Sequence, residues 1–165
     1  ENLDCFRSRA NSKHTALANR HATPSSSTGR GGQQYTLLSA LDGGNAVLQT
    51  ATGTLTLSQD QLDLLWNGEY LLLWRRETPR YIAPTMTGPA VLWLREKLHL
   101  AQGLPVPADA SPRFDAGLNE ALRRFQSASG LEADGVAGVR TLIALSDIAP
   151  PPGTPTLKVQ HVAHP

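Results

Sequence analysis

A thiol and two imidazoles near the start of the chain are the residue types with which a nucleophilic enzyme would work. Cys5 is the single cysteine, and His14 and His21 follow it in one short segment. A cysteine nucleophile needs a neighbouring base, and that base needs a third group that orients it. No orienting carboxylate or oxyanion loop is evident beside these residues. We therefore expect no catalytic residue and predict that the chain is not an enzyme.

Two further imidazoles, His161 and His164, lie near the carboxyl end of the sequence. Two histidines alone make a weak metal site, because a structural zinc ion takes four ligands. The single cysteine also excludes an internal disulfide and a zinc centre built from thiolates. The sequence therefore predicts no metal site and no cofactor.

Four polar side chains are candidates for ligand binding, namely Arg95, Arg123, Gln126 and Arg140. An arginine guanidinium recognises a carboxylate through two parallel hydrogen bonds. Arg95 lies beside the apolar stripe of one predicted helix, and Arg123 and Gln126 flank the stripe of the next. A shallow groove between these helices would collect them. The alternative is a solvated face, which charged residues beside an apolar stripe commonly form.

The composition excludes several classes of protein. The 165 residues carry a formal net charge of +1, which gives no field that would indicate a nucleic-acid partner. No apolar run reaches the length of about 18 residues that a membrane-spanning helix needs, so we predict no membrane segment. The 14 glycines and 12 prolines indicate many turns and at least one loose segment.

The first half of the sequence divides near residue 33. Residues 1–33 hold few large apolar side chains and end in a Ser- and Gly-rich run, so we expect a poorly ordered segment, or one that is ordered only by packing on the next unit. Residues 34–76 are predicted to form a β-rich unit that contains a short helix at 59–66, capped by Ser58. The strands are expected at 35–41, 46–50, 54–57 and 70–74.

The second half reads as helical. Residues 77–88 are interpreted as a linker, residues 89–146 as three helices, and residues 147–165 as a proline-rich tail. Asp115 is the expected N-cap of the second helix. The helical stripes consist of Val91, Leu94 and Leu98, then Leu118, Ala121, Leu122 and Phe125, then Leu142 and Leu145.

The helical segment carries an ordered set of motifs. It reads G-x-x-V-x-x-L from Gly88, F-D at Phe114, and F-Q-x-x-x-G-L-x-x-D-G-x-x-G-x-x-T from Phe125 to Thr141. These motifs resemble the peptidoglycan-binding type 1 family, a three-helix module found beside many cell-wall hydrolases. The resemblance implies a three-helix fold and a wall ligand whose stem peptides carry carboxylates. That family commonly has Gln where this chain has Arg95.

Residues 34–76 resemble the carboxyl-terminal half of C39-type, papain-like cysteine peptidases, through the runs 34–43, 55–62 and 66–74. In that family a His begins the first strand and an Asp ends the second, where this chain has Gln34 and Thr50. Glutamine does not shuttle a proton near neutral pH, and threonine carries no charge that would orient an imidazolium. The resemblance therefore implies an inactive, degenerate peptidase-like remnant.

The order of these two units resembles the periplasmic part of the A proteins of type II secretion, the ExeA/GspA family of the general secretion pathway. The resemblance implies an α+β chain in which a small β-rich papain-like remnant precedes a three-helix peptidoglycan-binding module. It also implies a periplasmic location, within a protein that is anchored in the inner membrane and carries its ATPase in another domain.

The function implied by this resemblance is non-catalytic peptidoglycan binding that scaffolds assembly of the secretin. The implied partners are peptidoglycan, a secretion B component and the secretin, with homo-oligomers raising the avidity of a weak site. Two alternatives stay open. The chain is a fragment of a cell-wall hydrolase or cysteine peptidase, or its helical module docks protein and binds no glycan.

Overall fold

The computed structural model of the chain describes residues 3–9, 22–27, 33–42, 44–150, 154 and 158–159. These residues fall into two units, of which the first holds the described residues up to 75 together with 154 and 158–159, and the second holds residues 76–150. The first unit combines strands with one described helix, and the second is helical, which confirms the predicted α+β class. In the described ranges, no helix is both long enough and apolar enough to cross a bilayer.

The first unit contains two four-stranded sheets. Its described strands are β1 (Leu3–Arg9), β2 (Ala22–Ser27), β3 (Gln33–Tyr35), β4 (Leu37–Asp42), β5 (Asn45–Thr50), β6 (Gly53–Ser58), β7 (Glu69–Arg75) and β8 (Lys158–Val159). One sheet has the order β1-β7-β2-β3, and the other has the order β6-β5-β4-β8. The pairing of β4 with β8 is parallel, whereas the other described pairs are antiparallel.

Strand β7 lies between two strands from the start of the chain. Leu3 pairs with Arg75 at one end of the β1–β7 ladder, and Arg9 pairs with Glu69 at the other. The Arg9 guanidinium also contacts the Glu69 carboxylate at 2.9 Å. Residues 3–9 and 22–27 therefore follow the second of the two expectations for this segment, because they are ordered by pairing with the unit that follows. Their order depends on pairing with a strand far along the sequence, which local composition does not reveal.

The second sheet follows the predicted hairpins. Strands β5 and β6 confirm the strands expected at 46–50 and 54–57. The single strand expected at 35–41 is instead divided at Thr36 between β3 and β4. The proline-rich tail expected at 147–165 contributes β8, because Lys158 pairs with Ala40. Most of the other residues after position 150 lie outside the described ranges.

Helix α1 (Gln59–Leu65) begins directly after β6. The Ser58 hydroxyl accepts the Gln61 backbone N–H at 3.2 Å, and the Gln61 side chain accepts the Ser58 N–H at 2.9 Å. This capping box confirms the predicted N-cap. Leu62 and Trp66 are buried, whereas Leu65 is 59% exposed. The helix ends at Leu65, and Trp66 continues in extended conformation.

The second unit contains, in its described part, helices α2 (Pro89–Ala101), α3 (Ala116–Ala128) and α4 (Val139–Ser146). Two residues of the predicted stripes differ, because Ala121 and Phe125 are only half-buried, while the neighbouring Gln126 is fully buried. The buried aliphatic side chains confirm the predicted stripes and are Val91, Leu94, Leu98, Leu118, Leu122, Leu142 and Leu145.

Both ends of α3 are capped. One oxygen of the Asp115 carboxylate accepts the Leu118 N–H at 2.8 Å, which confirms the predicted N-cap. Gly130 has a φ of 66° directly after the helix, and the Leu131 N–H donates to the carbonyl of Gln126 at 2.8 Å. Together these features form a Schellman ending, which satisfies carbonyl groups of the last turn.

Residues 77–88 are built into the helical unit, although the sequence suggests a linker. Ile82 forms an isolated antiparallel bridge with Ala137, and its side chain is fully buried. Thr87 forms a second bridge with Arg113. The segment therefore packs on the loops that precede α3 and α4, because an apolar side chain and two backbone pairings fix it there.

Candidate functional site

The loop between α3 and α4, residues 131–138, is held by a row of polar side chains on α3. Asn119, Arg123 and Gln126 are spaced by four and three residues, which places them on one face of the helix. We call these three residues the α3 clamp. Their side chains donate to four successive backbone carbonyls. The bonds are Arg123 Nη1 to Ala133 at 2.7 Å, Arg123 Nη2 to Asp134 at 2.7 Å, Asn119 Nδ2 to Gly135 at 3.1 Å, and Gln126 Nε2 to Val136 at 3.0 Å.

Gln126 lies inside the helical unit, with a side chain that is 1% exposed. Its Oε1 accepts the Gly135 N–H at 3.0 Å. Its Nε2 also donates to Asp134 Oδ1 at 2.9 Å and lies 3.3 Å from the Thr141 hydroxyl. Both ends of the amide are therefore engaged within the protein. In this structure Gln126 fixes the loop and has no surface with which to contact a ligand.

Arg123 is exposed, yet its guanidinium is held firmly. Besides the two carbonyls, its Nε donates to Asn119 Oδ1 at 3.0 Å. All three acceptors are neutral, and none of the ion pairs found in the described part of the chain involves Arg123. An arginine side chain has five N–H donors. One donor on Nη1 and one on Nη2 thus remain, and the nearby Asp134 carboxylate interacts with the positive charge without forming an ion pair within 4.0 Å.

Glycine is required at position 135. Gly135 has a φ of 78°, in the left-handed region that L side chains rarely adopt. A Cβ atom there would also lie 2.5 Å from Asn119 Nδ2 and 2.8 Å from Arg123 Nε. The backbone of the loop can approach the α3 clamp this closely only because residue 135 has no side chain.

Arg95 joins α2 to the start of α3. Its Nη2 lies 2.7 Å from a carboxylate oxygen of Asp115 and donates to the carbonyl of Arg113 at 3.0 Å, while its Nε donates to Ser111 at 3.2 Å. Asp115 precedes Arg123 by eight residues, which is about 12 Å along a helix. The structure therefore does not collect Arg95 into one groove with Arg123 and Gln126, because its guanidinium is bound at the other end of α3.

Arg140 occupies the first turn of α4, two residues after the loop, and is exposed. Of the four candidate residues, Arg123 and Arg140 thus present side chains to solvent on or beside the 131–138 loop. The polar atoms of Arg95 and Gln126 instead form hydrogen bonds within the helical unit.

The candidate nucleophile and the peptidase-like positions lie in the first unit. Cys5 is exposed on β1. Thr50 uses its hydroxyl in the β5–β6 turn, where it donates to the Gly53 carbonyl at 2.8 Å. In the described ranges, no group of three or more His, Cys, Asp or Glu residues could hold a metal ion. The histidines named from the sequence, His14, His21, His161 and His164, lie outside the described residues.

Two positioning residues of the helical unit were missed by sequence reasoning. Asn119 belongs to the α3 clamp, and its spacing of four and seven residues from Arg123 and Gln126 is a signal that could have found it. Lys97 is 5% exposed, and its Nζ donates to the carbonyl of Ala149 at 2.7 Å. Its position beside the buried stripe of α2 was the available signal, because a lysine there must find a partner.

Two carboxylates of the helical unit are held in the charged form. The Val136 N–H, followed by the Gln126 amide, lowers the pKa of Asp134 below its usual value of 3.8. The Leu118 N–H, followed by the Arg95 guanidinium, lowers the pKa of Asp115 in the same way. This stabilisation is present above the pKa of the unfolded chain and is lost as the pH falls through the lower folded pKa.

We therefore expect the free energy of unfolding to decrease when the pH is lowered from about 4 to about 2. A double variant, Asp115→Asn with Asp134→Asn, keeps an acceptor oxygen at each position but removes both titrating groups. It should lose less stability over this range than the unchanged chain. Chemical denaturation followed by circular dichroism at several acidic pH values measures the difference. An equal loss in both proteins would assign the acid sensitivity to other carboxylates.

The helical unit corresponds to a known family. Residues 87–145 match the family model described as "Putative peptidoglycan binding domain". Over these residues the unit is similar to that family. The match covers all three helices of the unit and the 131–138 loop that the α3 clamp holds.

Curated relatives confirm the resemblance to the secretion A proteins. The chain is 33% identical over 124 residues to "General secretion pathway protein A" of Aeromonas hydrophila, which covers 74% of this chain and 22% of that protein. It is also 33% identical over 98 residues to "Putative general secretion pathway protein A" of Escherichia coli (strain K12). That alignment covers 58% of this chain and 20% of that protein. The chain thus spans about a fifth of the length of these relatives.

A solved structure is similar over most of the chain. It is the crystal structure of a periplasmic domain of the EpsAB fusion protein of the Vibrio vulnificus type II secretion system. The two share a TM-score of 0.61 and 26% sequence identity, over 90% of this chain and 65% of that one. The likeness of residues 34–76 to C39-type peptidases stays a prediction.

Proposed function

We propose that this chain binds peptidoglycan in the periplasm through its helical unit, as a non-catalytic part of a type II secretion system. The family match of residues 87–145 supports the ligand. The similarity to secretion pathway A proteins and to a periplasmic domain of the EpsAB fusion protein supports the compartment and the system.

Within that system the proposed role is a scaffold. In this role the protein is anchored in the inner membrane, holds the wall and binds a secretion B component. These three attachments together would set the place at which the secretin assembles. The EpsAB fusion named for the Vibrio relative supports a B component as a partner. One small binding surface is weak by itself, so self-association would increase the avidity for a polymeric wall.

The observation that carries the proposed binding surface is the state of Arg123. Its guanidinium is exposed, fixed by three neutral acceptors and free of a carboxylate partner among the described ion pairs. A carboxylate of a stem peptide is a matching ligand, because a guanidinium binds it through charge-assisted hydrogen bonds. Arg140, exposed beside the same loop, is the proposed second contact. Arg95 and Gln126 contribute by fixing the surface.

Co-sedimentation with purified, protein-free sacculi tests this surface. Arg123→Gln combined with Arg140→Gln should weaken binding of the full chain by roughly tenfold, since each removes one exposed ionic contact. Arg124→Gln is the matched control, because Arg124 is 72% exposed on α3 and reaches only Glu120, at 3.7 Å. The control should bind as the unchanged chain does. Urea denaturation of all three proteins separates a loss of contact from a loss of fold.

Two outcomes would change the proposal. Equal binding by the double variant and by the Arg124→Gln control would remove the arginine surface while leaving wall binding in place. No sedimentation of the unchanged chain would favour the alternative in which the helical unit docks a protein and binds no wall.

A further inference from the structure

We propose that Arg123 and Asp134 together form a subsite for a zwitterionic amino-acid group, in which one carbon carries both an ammonium and a carboxylate. The inference rests on the proposed peptidoglycan binding. It assigns recognition to the stem peptide of the polymer, because the neutral sugar rings of a glycan offer no such pair of charges.

Arg123 supplies the cationic half of the subsite. Its three hydrogen bonds to Asn119, Ala133 and Asp134 use neutral acceptors and leave one N–H on each of Nη1 and Nη2. The side chain is exposed, so both donors are available to an anion. A carboxylate is the anion that amino-acid chemistry provides for such a pair of donors.

Asp134 supplies the anionic half. Its Oδ1 is occupied, since it accepts the Gln126 amide and the Val136 N–H, each at 2.9 Å. The other oxygen, Oδ2, accepts no hydrogen bond from the described part of the chain. Asp134 is also exposed, so this oxygen can accept a hydrogen bond from a ligand. The bonds to Oδ1 also lower the pKa of Asp134, so the carboxylate stays charged wherever the protein is folded at neutral or mildly acidic pH.

The two charges are neighbours that do not pair with each other. Arg123 Nη2 donates to the backbone carbonyl of Asp134 at 2.7 Å. The guanidinium therefore lies beside the residue that carries the carboxylate. In the described part of the chain, the Arg123 guanidinium and the Asp134 carboxylate form no ion pair, for which a nitrogen and an oxygen would lie within 4.0 Å of each other. The hydrogen bonds to the loop and to Gln126 hold the charges apart. An adjacent positive and negative charge are thereby presented to solvent in fixed positions.

This arrangement selects for a ligand that carries both charges. A carboxylate alone would be attracted by Arg123 but repelled by Asp134. An ammonium alone would be attracted by Asp134 but repelled by Arg123. A zwitterionic group satisfies both residues at once. Because each side chain is already immobilised by the loop, binding costs little additional side-chain entropy.

The test compares three forms of sacculi with the full chain. The first is untreated, the second has its free amino groups acetylated, which removes their charge, and the third has been stripped of stem peptides by an amidase. We expect binding to the acetylated wall to be about fivefold weaker than to the untreated wall, which is the size of one exposed ionic contact. Binding to the stripped glycan should be lost.

Two variants isolate the contribution of Asp134. Asp134→Asn keeps an oxygen that accepts the Gln126 amide and the Val136 N–H, but it removes the charge. It should bind untreated and acetylated sacculi equally. Glu132→Gln removes an exposed carboxylate from the same loop and should keep the full preference for untreated sacculi.

The outcomes separate this inference from the proposed function. Equal binding of the unchanged chain to untreated and acetylated walls, or full binding to stripped glycan, would overturn the zwitterion subsite and leave wall binding intact. A loss of preference in Glu132→Gln and not in Asp134→Asn would also overturn it. Failure to bind any form would overturn both proposals.

Discussion

Replacing Gly135 with serine should destabilise the helical unit by about 2–4 kcal/mol. The left-handed φ of 78° opposes any side chain, and the new Cβ would lie 2.5 Å from Asn119 Nδ2 and 2.8 Å from Arg123 Nε. Relief of this overlap requires the Asn119 and Arg123 side chains to move away from the loop. The four clamp bonds to backbone carbonyls would then lengthen or break, and Arg123 would lose the acceptors that fix its guanidinium.

Gly138→Ser is the matched control for this variant. Gly138 has a φ of −74°, and no heavy atom lies within 4 Å of a Cβ built there. Serine is also a favourable N-cap for α4, so stability should be unchanged or raised by up to about 1 kcal/mol. Urea denaturation of both variants measures the difference. Equal stability of the two would mean that the loop moves aside at no cost and that the close approach at position 135 is unimportant.

The features that sequence predicted well are those set by neighbouring residues. The cap at Ser58 needs only Gln61 three residues later, and the cap at Asp115 needs only the first turn of α3. The helical stripes are likewise periodic, so that Leu94 and Leu122 could be assigned to a core without any knowledge of what packs on them. Local chemistry and helical geometry were sufficient at these positions.

The features that sequence missed depend on contacts between distant segments. Strand β1 is ordered because it pairs with β7, and nothing in its own composition identifies that partner. The sequence predicts that Gln126 lines a surface groove, because polar side chains beside an apolar stripe usually face solvent. Its burial follows only from the return of the 131–138 loop onto α3, where the backbone of Gly135 and the side chain of Asp134 supply its partners.

Changing Gln126 to glutamate should destabilise the helical unit more than the change at Gly135, with a loss of about 3–5 kcal/mol at neutral pH. The shape of the side chain is kept, but its Nε2 donor becomes an oxygen. The new carboxylate would face Asp134 Oδ1 and the Val136 carbonyl, which now accept hydrogen bonds at 2.9 and 3.0 Å. One carboxylate oxygen would keep the Gly135 N–H as its donor, but the other would face two acceptors, in a side chain that is 1% exposed.

The pH dependence of this variant distinguishes a buried charge from a simple loss of packing. Burial and the neighbouring Asp134 would raise the pKa of the introduced carboxyl above its unfolded value. The destabilisation is therefore full above that raised pKa and shrinks as the pH falls through it, because the protonated group again has a donor. We expect Gln126→Glu to regain stability relative to the unchanged chain as the pH is lowered from about 8 to about 5.

Gln102→Glu provides the control, since Gln102 is exposed at the end of α2. Its stability should stay within about 0.5 kcal/mol of the unchanged chain over the same pH range. Thermal unfolding of both variants at three pH values measures the effect. A loss in Gln126→Glu that does not vary with pH would mean that the carboxylate reaches solvent. The 131–138 loop would then be held by Arg123 and Asn119 without the buried amide, and the fixed separation of the Arg123 and Asp134 charges would need another cause.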